Sequence, residues 1–146
     1  MSFTREQVIE LWDQHWKGGW GYAPWSEILE GLTAEQAAWR PQPGRHSIWE
    51  IALHLIFWRE VMVRRAHNET VSAEEQDQRN HESPTDVTEE AWRAVRRRFE
   101  ASQQQVRDAI GIADEVEGFL HLTFHDTYHV GQIAYLRAMQ GLPPIV

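Results

Sequence analysis

His125 and His129, four residues apart and followed by Gly131-Gln132, are the residues of this chain best placed to do chemistry. On a helix an i, i+4 pair points both side chains to one face, so two imidazoles can grip one metal ion. A third candidate, His54, lies about seventy positions upstream and would reach the same ion from a second helix. Three protein ligands leave a coordination position open, as in catalytic sites, whereas structural zinc sites close all four with protein atoms. Such an ion would polarise a bound oxygen or lower the pKa of a water or thiol, giving a strong nucleophile near neutral pH. Metalloenzyme chemistry is the expectation.

Composition narrows the alternatives. A length of 146 residues suits one domain over 1–146 with a single core. The formal charge of −8 argues against a nucleic-acid partner, which needs a basic footprint. Arg93, Arg96, Arg97 and Arg98 accordingly read as a solvated helix face. No apolar run approaches the roughly twenty residues of a membrane span, and the N-terminus lacks the pattern of a signal peptide. No membrane partner is expected, and the cytoplasm is the expected location. Without cysteine, disulfides and thiolate ligands are excluded, so a transition-metal site must use nitrogen and oxygen.

The elements that must position these residues are helices. Thr4 and Gln7 form a capping box ahead of Val8, Leu11, Trp12 and Trp16, with Phe3 and Val8 spaced as a hydrophobic staple. That helix loosens at the glycines of Lys17 to Tyr22, and another helical piece is expected from Pro24 to Leu32. Ser47 and Glu50 make a second capping box, opening a helix that continues to about Ala66 and is apolar nearly all round. Asn68 to Val87 is polar and patternless, and reads as a long connection. A third helix opens near Asp86 or Thr88 with the seam Trp92, Val95, Phe99, Ser102, Val106 and Ala109. Gly111 and Gly118 bracket a turn, and a fourth helix runs from about Glu117 to Gln140, stopped by Gly141 and Pro143. Four long helices with one connector of about twenty residues predict an all-α four-helix bundle in which that connector, between helices 2 and 3, crosses over.

Counted by threes and fours, the fourth helix presents Leu122, His125, His129, Gln132, Leu136 and Met139 inward. Burying an unpaired imidazole or amide costs on the order of one to three kcal/mol. Three in succession therefore ask for a partner, and a metal ion beside a wet pocket supplies one. His54, in the run Ile51, His54, Trp58, Val61, fits as third ligand or as a core histidine bonded to a carbonyl. His121 extends the ladder by a turn but reads as solvent-facing. His15, His46, His67 and His81 lie at helix ends or in loops and read as surface residues.

Ser47-Ile48-Trp49-Glu50 running into His54, a long connector, and then His125-Asp126-Thr127-Tyr128-His129-Val130-Gly131-Gln132-Ile133 with Leu136-Arg137 resembles the DinB superfamily, including its YfiT-like members. The resemblance implies a four-helix bundle with a crossover connection and a divalent metal, zinc or nickel, on His54, His125 and His129. It also implies a homodimer and a small-molecule substrate. Relatives include S-transferases that use low-molecular-weight thiols, a thiol-dependent isomerase, and proteins described as metal-dependent hydrolases. The segment Trp16-Lys17-Gly18-Gly19-Trp20-Gly21-Tyr22-Ala23-Pro24-Trp25 departs from the family pattern.

Around the three ligands, Glu50 lies one turn before His54 and reads as a general base, as a partner orienting an imidazole, or as a cap alone. Gln132 shares the ligand stripe and could bond a ligand ring or water. Asp126 and Tyr128 flank it, either supporting the ligands or lying on the surface. Arg137 could hold an anionic substrate or complement the helix dipole. Trp12, Trp16 and Trp25 read mainly as core, while Trp20 and Tyr22, set between glycines, are candidates for a lid. Two classes of function follow: a metal-dependent S-transferase or hydrolase acting on a small molecule, or a metal-binding stress-response homodimer without turnover.

Overall fold

The computed structural model describes residues 2–145 and, among them, six α-helices and no strand. Four are long: α1 (Arg5–Lys17), α3 (Ile48–Ala66), α5 (Glu89–Ile112) and α6 (Glu117–Met139). Two short helices, α2 (Ala34–Ala38) and α4 (Ala73–Arg79), lie in the connections. Both capping boxes form, Thr4 with Gln7 and Ser47 with Glu50, so α1 and α3 begin where their sequences place them. The Thr88 hydroxyl accepts from the Ala91 N–H to open α5.

Directions follow from side-chain pairs. Arg5 donates to the Ile110 carbonyl near the start of α1 and Trp16 packs on Phe99 near its end, with the Trp12 indole donating to the Gln103 carbonyl between them, so α1 and α5 run antiparallel. Trp49 packs on Trp92, and Arg59 reaches Ser102, so α3 and α5 run in the same direction. His54 meets His129 at one end of α3, and Met62 meets Gly118 at the other, so α3 and α6 are antiparallel. Between them lies the core, with Trp12, Trp25, Leu55, Ile56, Trp92, Phe99 and Ile133 all buried. Every residue of the expected α5 seam, Trp92 through Ala109, is inside. No helix among the described residues is long and apolar enough to cross a membrane.

Several expectations need correction. The segment Pro24 to Leu32 is not a helix but a single 3₁₀ turn, Trp25–Glu27, followed by further turns. Trp25, Ile28, Leu29 and Leu32 are all buried, so tertiary packing rather than a helical ladder directs that path. The connection 68–87 is not patternless, because Ser72 caps α4. Gly111 and Gly118 lie inside α5 and α6; the turn is at 113–116. Phe3 is exposed although Val8 is buried, which leaves no sign of the staple.

The largest correction concerns the face of α6. Its buried residues are Phe119, Leu120, Leu122, Thr123, Asp126, Val130, Ile133, Leu136 and Arg137, so Leu122 and Leu136 lie inward as expected. Met139 is exposed, and the histidines stand at the edge of the buried face, half-buried. The cause is that α6 carries apolar residues on every side, including exposed Phe124, Tyr128 and Tyr135, so periodicity alone does not fix its rotation.

Candidate metal centre

α3 delivers His54 and two successive turns of α6 deliver His125 and His129 to one place. Ring centroids are 5.0 Å apart for His54 and His125, and 4.6 Å for each of the pairs that include His129. One nitrogen from each ring lies within 4.8 Å of the other two.

What surrounds the rings decides which nitrogens converge. His54 Nδ1 lies 2.7 Å from the Asn80 carbonyl oxygen, His125 Nδ1 lies 3.0 Å from Asp126 Oδ1, and His129 Nδ1 lies 2.7 Å from Gln132 Oε1. In their neutral forms each Nδ1 must then carry the proton and donate it to its acceptor. All three Nε2 atoms are left with lone pairs. Two of these, on His54 and His125, face each other at 3.0 Å. Facing lone pairs repel unless an electrophile lies between them; one shared proton would satisfy a single pair, whereas a cation satisfies all three. The donor set therefore fits a divalent ion, and its outer partners match the carbonyl and carboxylate contacts that orient metal-binding histidines.

Electrostatics favour the same state. Burial holds the His54 pKa down at about 4, aided by the neighbouring imidazoles of His129, His125 and His81 against the opposing bond to Asn80. Burial lowers His129 as well, against the hydrogen bond it donates to Gln132. Neutral imidazole is the ligating form.

Behind His125 lies a buried ion pair. Asp126 presents its second oxygen to Arg59 Nε at 2.7 Å, and both side chains are 0 % exposed. Arg59 also donates to Ser102 Oγ and lies against the rings of Trp12, Trp25 and Phe99. Burial lowers the Arg59 pKa, and Asp126 opposes that shift. Arg59 was not among the residues singled out from the sequence. Its signal was present, since a charged residue in the apolar run of α3 requires a buried counter-ion.

The other candidates separate clearly. The Gln132 amide also donates toward the Tyr128 hydroxyl, and Tyr128 borders the cluster. Glu50 lines a small cavity of about 130 Å³ beside His54 and His129. Its carboxylate accepts from the Ser47 backbone, Arg40 and the Ser83 hydroxyl, with His46 at 3.4 Å. Burial pushes its pKa up, but those hydrogen bonds prevail and hold it at about 2. Arg137 lies elsewhere, buried, donating to the carbonyls of Ile28 and Glu30. His121 is 70 % exposed and faces Glu117.

Of the histidines read as surface residues, His46 and His81 are exposed but stand beside the site, and His15 is buried. His81 stacks between His46 and His54, extending a wall of imidazoles along the site, although its own side chain is exposed. His15 is buried, bonded to the Leu11 carbonyl and stacked on Tyr22. That stacking and the exposure of Trp20 leave the glycine-rich segment away from the cluster, and neither residue lines its cavities. A lid made of them is not supported.

A family model described as the DinB superfamily matches residues 20–133. No curated protein and no solved structure matches the chain. The match spans more than half of the sequence and takes in all three converging histidines, and the protein belongs to the DinB superfamily.

Proposed function

We propose that the protein is a metal-dependent enzyme acting on a small molecule, with a zinc or nickel ion held by His54, His125 and His129. The observation that carries this is the set of three Nδ1 acceptors, which turns three Nε2 lone pairs to one point. A divalent ion there supplies Lewis acidity with a coordination position left open for chemistry. The chain's own residues do the rest. Asn80, Asp126 and Gln132 fix the tautomers, Arg59 holds Asp126 in place, and the Trp58 indole donates to the Asn80 side chain. Either a water or a low-molecular-weight thiol suits the nucleophile, so hydrolase and S-transferase are the two forms of this reading. Glu50, already engaged by several donors and held at about 2, serves better to fix the start of α3 than to take a proton.

The helix directions suit a four-helix bundle over the whole chain, in which the 68–87 connection crosses over to make α3 and α5 parallel. The exposed stripe Phe124, Tyr128, Tyr135 and Met139 along α6 supports a homodimer. That stripe also favours the second reading, a metal-binding homodimer without turnover.

Metal analysis of protein purified without a histidine tag tests the proposal. One divalent ion per chain is expected, lost in His125→Ala and His129→Ala and kept in His121→Ala. No ion in the purified protein and none taken up on addition would refute it, as would equal loss from all three variants. A thiol and electrophile screen of the loaded protein then separates the enzyme from the silent metal-binding dimer.

A further inference from the structure

The three histidines form one end of a trough of about 630 Å³ between α3 and α6. That volume lies in the range of small-molecule sites, roughly 300–1,000 Å³. Its α3 wall is a single stripe, His54, Trp58, Met62 and Arg65, spaced four, four and three. At 1.5 Å per residue the stripe is about 16 Å long. Between its ends the lining is apolar, with Trp58 and Met62 facing Leu122. Gly118 leaves room for Met62 to lie across the floor, since a Cβ there would come within 2.9 Å of the Met62 methyl.

Arg65 closes the far end, exposed and bonded only to Met62 Sδ at 3.9 Å, with no ion pair among the described residues. The contrast with its neighbour matters: Arg64 is held by Glu69 and Glu75. His121, at the same end, is turned to Glu117, so Arg65 is the cation free to meet a ligand. On the opposite side of the cluster, a cavity of about 130 Å³ shares His46, Ile51, Tyr128 and Gln132 with a groove of about 850 Å³ that reaches Met139, but that groove takes in none of the three histidines, whereas the trough takes in all of them.

Resting on the reading of the three histidines as a reactive centre, we infer that the trough takes an elongated small molecule with an apolar body and one anionic end. The anion lies on Arg65, the body runs over Trp58 and Met62, and the far end meets the histidines. Apolar burial supplies most of the binding, while Arg65 sets orientation and selects charge.

The chain has 3 methionines, so methyl-labelled methionine gives a simple NMR spectrum in which Met62 reports on the trough and Met139 on the outer face of α6. The probes are decanoate, decanol and decyltrimethylammonium. Decanoate is expected to shift the Met62 methyl and not Met139, and to bind about fivefold tighter than decanol. The cationic probe should bind weakest, and Arg65→Gln should remove these differences while Met62 still responds. An unmoved Met62 would overturn the inference, as would equal affinities that Arg65→Gln leaves unchanged. A Met62 signal that shifts on dilution without any probe would also overturn it, by showing that a second copy covers the trough. Metal content is measured on the same samples. Decanoate binding in a protein that takes up no ion sinks the enzyme reading alone, and a loaded protein with an unmoved Met62 sinks the trough alone.

Discussion

Arg59→Met tests whether the buried ion pair behind His125 is what holds that ligand. The substitution keeps an apolar stem in the pocket made by Trp12, Trp25 and Phe99 and removes the guanidinium bonded to Asp126. Asp126 is then a fully buried carboxylate without a counter-ion, and breaking such a pair costs about 3–5 kcal/mol. The lost hydrogen bonds to Ser102 and the Phe99 carbonyl belong to the same cost. Against a total of about 5–15 kcal/mol for a domain, the variant should stay folded at low temperature but unfold at much lower urea. The double variant Arg59→Met with Asp126→Leu removes both charges, and its stability should recover to within about 2 kcal/mol of the parent. Its metal affinity should not recover, since His125 Nδ1 has lost its acceptor; a fall of about 10–100-fold is expected. Urea unfolding of the metal-free proteins followed by tryptophan fluorescence gives the first quantity, and Zn²⁺ competition with a chelator gives the second. The reasoning is refuted if Arg59→Met costs less than about 1 kcal/mol, or if the double variant binds Zn²⁺ as tightly as the parent.

Acid should weaken the metal-free protein early. His54 and His129 lie below the ordinary 6.5 in the fold, so the unfolded chain binds more protons as the pH falls, and stability drops from about 6.5 toward about 4. Glu50 adds its own loss only below 4.5, toward about 2, and denaturant midpoints against pH should show the two windows separately in His54→Ala and Glu50→Gln. Glu50→Ala should lower stability by about 1–3 kcal/mol through the lost cap and buried bonds while the metal stays. If it removes turnover without that destabilisation, Glu50 is the base after all. Arg137→Met should also destabilise, leaving the carbonyls of Ile28 and Glu30 without their donor, but it should not change Zn²⁺ affinity in the chelator assay.

The starts of α1 and α3 were legible because a capping box is a local contract between residues three apart, independent of the rest of the chain. α2 and α4 carry similar local signals, Thr33 with Gln36 and Ser72 with Glu75, but helices of 5 and 7 residues are too short for apolar periodicity to mark them. The α5 seam could be read because one face is apolar and the other charged. On α6 the same reading put the histidines in the core, and the structure puts Asp126 there and the histidines at its edge.

The sequence by itself determined that two histidines share a helix face, that nitrogen and oxygen must supply any metal ligands, and where the long helices begin. These are matters of composition and of spacing along one helix. Only the tertiary structure decided that His54 joins the pair, that Arg59 answers Asp126, and that His46 and His81 line the site. It also placed the Asn80 carbonyl behind His54. Each of these joins residues from different elements, and the rotation of α6 that brings them together is set by which of its several apolar faces the other helices bury.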